Sequence, residues 1–274
     1  MLEALHFDLK QETDRIAAFI ARHVHDAGYE RAVLGISGGV DSALVAALCA
    51  RALGPANVYG MLLPYETSNP LSLAHGRMVI EQLGLASGLF QITPMVKAFV
   101  ARDPDMSGVR RGNIMARCRM IALYDQSAAW DALVMGTGNR TETLLGYFTL
   151  YGDSAAALRP ISHLYKVQVR ALATHLGLPA EIVAKDPSAD LWAGQTDEDE
   201  LGFTYDDADQ VLYLLTEAGL TEKEIVGHGF ASATIQAIER RMASSAFKLE
   251  EPPSLPTVVA TAVTASSVTA EIAD

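Results

Sequence analysis

The stretch Gly35-Ile36-Ser37-Gly38-Gly39-Val40-Asp41-Ser42 limits what this chain can become more than any other. It lies between an apolar run, Arg31-Ala32-Val33-Leu34, and a second one, Ala43-Leu44-Val45-Ala46-Ala47-Leu48. This order predicts a buried strand, a glycine turn and a helix whose first turn carries Asp41 and Ser42. Backbone N–H groups at such a helix start point at an anion, and the helix dipole adds partial positive charge there. Gly38 and Gly39 let the main chain come close to a phosphate, where a side chain would intrude. A Walker A loop needs a lysine directly after its last glycine, and none follows here.

The remaining pattern alternates strands and helices. Further strands are predicted at Val58–Leu63, Phe90–Ile92 and Ala132–Gly136, and helices at 10–27, 71–83 and 112–129. That alternation predicts an α/β fold: a doubly wound, mostly parallel sheet with helices on both faces. Ligands of such sheets sit beyond the C-terminal strand ends, where Ser37, Pro64 and Gly136 fall. Past residue 140 the chain reads as a C-terminal helical part, with helices at 166–177, 205–218, 221–227 and 231–246. Residues 186–203, without periodicity, read as a mobile loop. Residues 1–253 are expected to form a single domain, and the Ala/Thr/Val-rich 254–274 a tail, disordered or bound to a partner.

Composition narrows the function. Half of the 274 residues are hydrophobic, enough for a sizeable core. The formal charge of −12 argues against a nucleic-acid surface, which needs a lysine and arginine footprint. No run reaches the length of a membrane span, and the N-terminus lacks the pattern of a signal peptide. The two cysteines, Cys49 and Cys118, offer neither a disulfide framework nor a zinc site. No membrane contact and a cytoplasmic location are the expectation.

Gly136-Thr137-Gly138-Asn139-Arg140-Thr141-Glu142 superficially matches a dinucleotide fingerprint. Its last position is not glycine, however, and no acidic residue ends a second strand at the required distance. It reads better as a second wall of the nucleotide pocket, with Glu142 joining Asp41 as a hard oxygen ligand for Mg²⁺.

The loop at 35–42 resembles the S-G-G-x-D-S signature of the PP-loop ATP pyrophosphatases. Further segments sharpen the likeness: Gly112-Asn113-x-x-Ala116-Arg117-x-Arg119-Met120, Leu145–Asp153, Arg159-Pro160-Ile161, Leu164–Arg170, Lys185–Leu191 and Gly194–Gly202. Over residues 10–253 the chain resembles ammonia-dependent NAD⁺ synthetases. The resemblance implies ATP-dependent amidation of deamido-NAD by ammonia through an acyl adenylate, with release of AMP and pyrophosphate. It implies that Gly35, Ile36, Ser37, Gly38, Gly39, Val40, Asp41 and Ser42 cradle ATP, with Thr137, Lys166 and Ser188. Asp41, Glu142 and Lys166 would be catalytic, the first two holding Mg²⁺. Arg117, Asn139 and Lys248 would contact the deamido-NAD, Arg117 across a homodimer interface. Leu150, Ala157 and Phe247 depart from the family's usual lysine, aspartate and histidine in that substrate half. Arg119, Arg140 or Arg159 would have to compensate, or the acid differs. An adenylating ligase for another carboxylate and a nucleotide-binding regulator without turnover stay open beside the main reading. Free ammonia is the expected nitrogen donor, unless a separate glutaminase docks.

Overall fold

The computed structural model describes residues 1–188 and 196–255. The helix α1 (Leu9–Asp26) starts where the Asp8 side chain accepts a hydrogen bond from the Gln11 N–H, and buries Ile16, Ile20 and Val24 along one face. Then follow β1 (Ala32–Gly35), α2 (Val40–Leu53), β2 (Val58–Leu62), α3 (Pro70–Leu83), β3 (Ala86–Leu89), α4 (Thr93–Val100) and α5 (Gly108–Trp130). The strand β4 (Leu133–Val134) leads to α6 (Arg140–Leu145), α7 (Lys166–His175) and α8 (Ala180–Val183). The described chain closes with α9 (Asp197–Leu201), α10 (Tyr205–Thr216), α11 (Glu222–Gly227) and α12 (Ser232–Ser245).

The four strands are all parallel, in the order β3-β2-β1-β4. The sheet grows from β1 towards β3 on one side and to β4 on the other, so the order reverses between β1 and β4. A crevice opens at such a switch point, beyond the strand ends. Alternate residues of β1 face opposite layers. Ala32 and Leu34 pack with α1, α2, α3 and α7, while Val33 joins Met61, Met115, Cys118 and Val134 under α4 and α5. Helices therefore cover both faces. A third buried cluster, with Leu145, Tyr205, Leu212, Ile225 and Ile238, binds α6 to α10, α11 and α12. Burying each such leucine or isoleucine contributes about 1.5–3 kcal/mol.

Three local expectations are corrected. The third strand is Ala86–Leu89, not Phe90–Ile92, and Ile92 instead leads into α4. Ala132–Gly136 shrinks to Leu133–Val134, prolonged by a single parallel bridge from Met135 to Leu158. The stretch 186–203 contains α9, started by the Thr196 side chain, whose hydroxyl oxygen accepts from the Asp199 N–H at 3.2 Å. Residues 189–195 of that stretch, and 256–274 of the expected tail, lie outside the described residues. No helix of the described chain is long and apolar enough to cross a membrane.

Candidate active site

The turn after β1 is held by its own hydroxyls. The Ser37 N–H donates to Ser42 Oγ at 3.2 Å, the two serine oxygens stand 3.0 Å apart, and Gly39 N–H donates to Ser37 Oγ at 3.3 Å. Ser42 Oγ in turn lies 3.0 Å from the Gly39 carbonyl. Gly38 has φ of +79°, and a Cβ there would stand 2.1 Å from the Ser72 carbonyl oxygen of α3. The loop thus rests directly on α3 and borders the crevice.

The second wall follows β4. Asn139 is fully buried and begins α6: its Oδ1 accepts from the Glu142 N–H at 2.9 Å, and its own N–H donates to Glu142 Oε2 at 3.3 Å. Its Nδ2 donates to Asp41 Oδ1 at 2.9 Å, which ties the turn after β4 to the turn after β1. Lys166, the first residue of α7, completes the group. Its Nζ donates to Asp41 Oδ2 at 2.5 Å and lies 3.5 Å from Glu142 Oε1. The lysine side chain is 4% exposed, and its ammonium lies 5.1 Å from the centre of the Tyr205 ring.

The electrostatics follow from two carboxylates sharing one ammonium out of water. Burial, and then the neighbouring Asp41, push the Glu142 carboxyl above the usual carboxylate range, and Lys166 pulls it back only in part. Burial alone would lower the Lys166 pKa. The Asp41 and Glu142 carboxylates outweigh it, so the net shift is upward and the ammonium stays charged.

These groups line one cleft of about 510 Å³. Gly35, Ile36, Ser37, Gly39, Val40, Asp41 and Ser42 form its floor, and Thr137, Glu142, Lys166, Ser188 and Lys248 stand around it. Three expected contacts are not on its wall. Gly38 braces the loop from behind, and Asn139 is buried behind Asp41. Arg117 is on the exposed side of α5, where it donates to the Leu150 carbonyl at 3.1 Å. Leu150, Ala157 and Phe247 are absent from the lining as well, and Phe247 is exposed. Of the arginines expected to compensate, Arg119 lines the cleft, whereas Arg140 is paired with Glu217 elsewhere.

Arg241, which the sequence alone did not single out, stands among motif residues that also line the cleft. Arg241 of α12 lies over the Tyr147 ring, and the Tyr147 hydroxyl donates to Asp197 at 3.1 Å and Glu200 at 3.0 Å. The Lys248 ammonium donates to the Gly146 and Phe148 carbonyls at 2.7 and 2.9 Å, pinning the segment after α6. Asp197 falls in the Gly194–Gly202 segment that carries the resemblance, directly after the helix-starting Thr196.

Fold and cleft together define a doubly wound α/β enzyme whose glycine turn at 35–42 opens at the switch point of a parallel sheet. The sequence model of the NAD synthase family matches residues 12–252. An NH₃-dependent NAD⁺ synthetase from Trichlorobacter lovleyi is 47% identical over 92% of this chain and 92% of its own length. One from Fusobacterium nucleatum is 45% identical over 92% and 97%. Among solved structures, an NH₃-dependent NAD synthetase from Campylobacter jejuni superposes with a TM-score of 0.78 at 34% identity, covering 92% of this chain and all of that one. An NMN synthetase from Francisella tularensis does so with 0.82 at 30%, with the same coverage. The chain belongs to the NAD synthase family.

Proposed function

We propose that this chain is the ligase that converts deamido-NAD to NAD⁺, using ATP and ammonia. The observation that carries the reading is the Lys166 ammonium held between Asp41 and Glu142 at the mouth of the 35–42 turn. A free carboxylate is a poor acyl donor because its leaving group would be an oxide. In the first step a carboxylate oxygen of the acid bonds to the α-phosphorus of ATP, and the bond from that phosphorus to the bridging oxygen breaks, releasing pyrophosphate. In the second, the ammonia nitrogen bonds to the acyl carbon, AMP leaves with the bridging oxygen, and a proton is lost from nitrogen.

The chain's own residues act on charge and position. Negative charge grows on the departing pyrophosphate, and the N–H groups of the 35–42 turn that its serine hydroxyls do not engage stand ready to meet it. Thr137, Lys166 and Ser188 orient the nucleotide from the other side. Asp41 and Glu142 would hold Mg²⁺: they are hard oxygen donors, and one ammonium does not neutralise the pair. No group of three or more metal-ligating side chains exists among the described residues. That suits Mg²⁺, which takes one or two protein carboxylates and completes its shell with phosphates and water. The ion, when bound, neutralises charge on the phosphate oxygens.

The protein works as a homodimer through α5. Ile121 and Tyr124, 52% and 40% exposed, continue the stripe that carries Arg117, which supports an apolar contact between copies with Arg117 at its edge. Ile121→Glu should halve the mass seen by light scattering; an unchanged mass would place the contact elsewhere. The charged nucleotides involved do not cross membranes unaided, which supports a cytoplasmic place of action.

A second reading keeps the activation and changes the acid to the mononucleotide, nicotinate mononucleotide. It is favoured by the likeness to the Francisella NMN synthetase. AMP release with ATP, Mg²⁺ and ammonia, scored for both acids, decides. We expect deamido-NAD to give the higher kcat/KM by at least about tenfold, or about 1.4 kcal/mol. The reverse preference would replace the first reading by the second, and no AMP with either acid would refute both.

A further inference from the structure

Asp209 of α10 is fully buried, and the mechanism above makes no use of it. Its two carboxylate oxygens bond to two different helices. Oδ1 accepts from the Thr141 hydroxyl at 2.5 Å, in the first turn of α6, and Oδ2 accepts from the Val167 N–H at 2.7 Å, in the first turn of α7. The Thr141 oxygen, also fully buried, accepts in turn from the Lys166 N–H at 3.0 Å. The donors at the start of α7 would otherwise be orphaned out of water, where each unmet group is costly. The dipole of α7 favours a negative charge at that end.

These two turns carry the catalytic groups: Glu142 follows Thr141, and Lys166 precedes Val167. We propose that Asp209 is a positioning residue, which locks the first turns of α6 and α7 together and so sets Glu142 and Lys166 around Asp41. The carboxylate does not line the cleft and touches no substrate. Its action passes through Thr141 and the α7 backbone. A staple of this kind matters because the ion pairs it sets are short, and a displacement of about 1 Å in a catalytic group can cost about a hundredfold in rate.

The proposal rests on the adenylating reading above, and the test separates the two. Asp209→Asn keeps the side chain's size but can accept from only one of the two donors. We expect it to remain folded by circular dichroism, to keep KM for deamido-NAD within about threefold, and to lose at least about tenfold in kcat for AMP release. Thr141→Ser, which retains the hydroxyl, should stay within about threefold of the parent, and Thr141→Val should fall at least about tenfold. A folded Asp209→Asn with unchanged kcat overturns the proposal, and so does equal activity of the two Thr141 variants. Should Asp209→Asn fail to fold, the Thr141 pair decides alone. An activity-free readout is amine-reactive labelling of Lys166 followed by mass spectrometry. Lys166 should be protected in the parent and labelled faster in Asp209→Asn or Thr141→Val; equal protection overturns the proposal even if the parent releases no AMP. A parent without AMP release would refute only the reaction.

Discussion

Replacing Asp41 with alanine is expected to slow AMP formation by about a thousandfold while the chain still folds. The magnitude combines two losses. A preorganised group facing developing charge is worth about 10²–10³ in rate. The Lys166 ammonium would also lose its 2.5 Å partner and turn towards Glu142 alone, away from its working position. The Asn139 side-chain N–H is left buried without its acceptor, at a cost of about 1–3 kcal/mol in stability. Asp41→Asn separates the effects, since an amide oxygen can still accept from Asn139 while the charge is gone. Both variants should be nearly inactive, with Asp41→Asn the more stable of the two by thermal melting. AMP release within threefold of the parent in either would remove Asp41 from the reaction.

Gly38→Ala should be nearly as damaging, by a different route. Gly38 and Gly84 both have positive φ, +79° and +65°, and an alanine in that region costs about 1–2 kcal/mol. At Gly84 the new methyl meets nothing within 4 Å, whereas at Gly38 it lands 2.1 Å from the Ser72 carbonyl oxygen. Backbone cannot yield as a flexible side chain would, so either the loop lifts off α3 or the helix shifts. We expect Gly84→Ala to lower the melting temperature and leave ATP affinity unchanged. Gly38→Ala should weaken ATP binding by about a hundredfold, or about 2.7 kcal/mol. Equal ATP affinity in the two variants would show that the 35–42 turn does not hold the nucleotide.

Much of the fold was legible because the core elements announce themselves locally. The apolar run before Gly35 and the glycine pair after it place β1, the turn and α2 without reference to anything else. The long apolar periodicity of α1 and α10 is equally self-sufficient. The edge strand was not: Ala86-Ser87-Gly88-Leu89 has no β-branched residue and no alternation, and it is a strand because β2 pairs with it. The more hydrophobic Phe90-Gln91-Ile92 drew the prediction past the end of the strand at Leu89. The helix α4 was missed although Pro94 stands in its first turn, a position that proline favours.

In the site, Asp41, Glu142 and Lys166 were found from separate motifs, and the fold brings their charged atoms within one ion-paired group. Asn139 and Asp209 show the limit. Asn139 has the residue type of a ligand contact, yet its hydrogen bonds go to Asp41 and Glu142. Asp209 lies on the buried face of an amphipathic helix beside Tyr205 and Leu212, and the sequence reading passed over it. Its partners on α6 and α7 are 68 and 42 residues away in sequence, beyond the reach of any periodicity.

The two walls of the cleft come from different stretches of chain. The turns after β1 and β4 and the start of α7 line the part of the cleft that the proposed reaction gives to the nucleotide, whereas Arg241 and Lys248 line it from the last described helix and the turn after it. On the proposed reading, activation and part of the choice of acid would be written in separate passages, and mutation could revise one without rewriting the other. On that reading, a change in the last 15 or so described residues would retune which acid enters while leaving the phosphate chemistry as it was. Such a division would make a scaffold of this kind evolvable: new acceptors would be reached through its last described helix, at little risk to the costly step of splitting ATP.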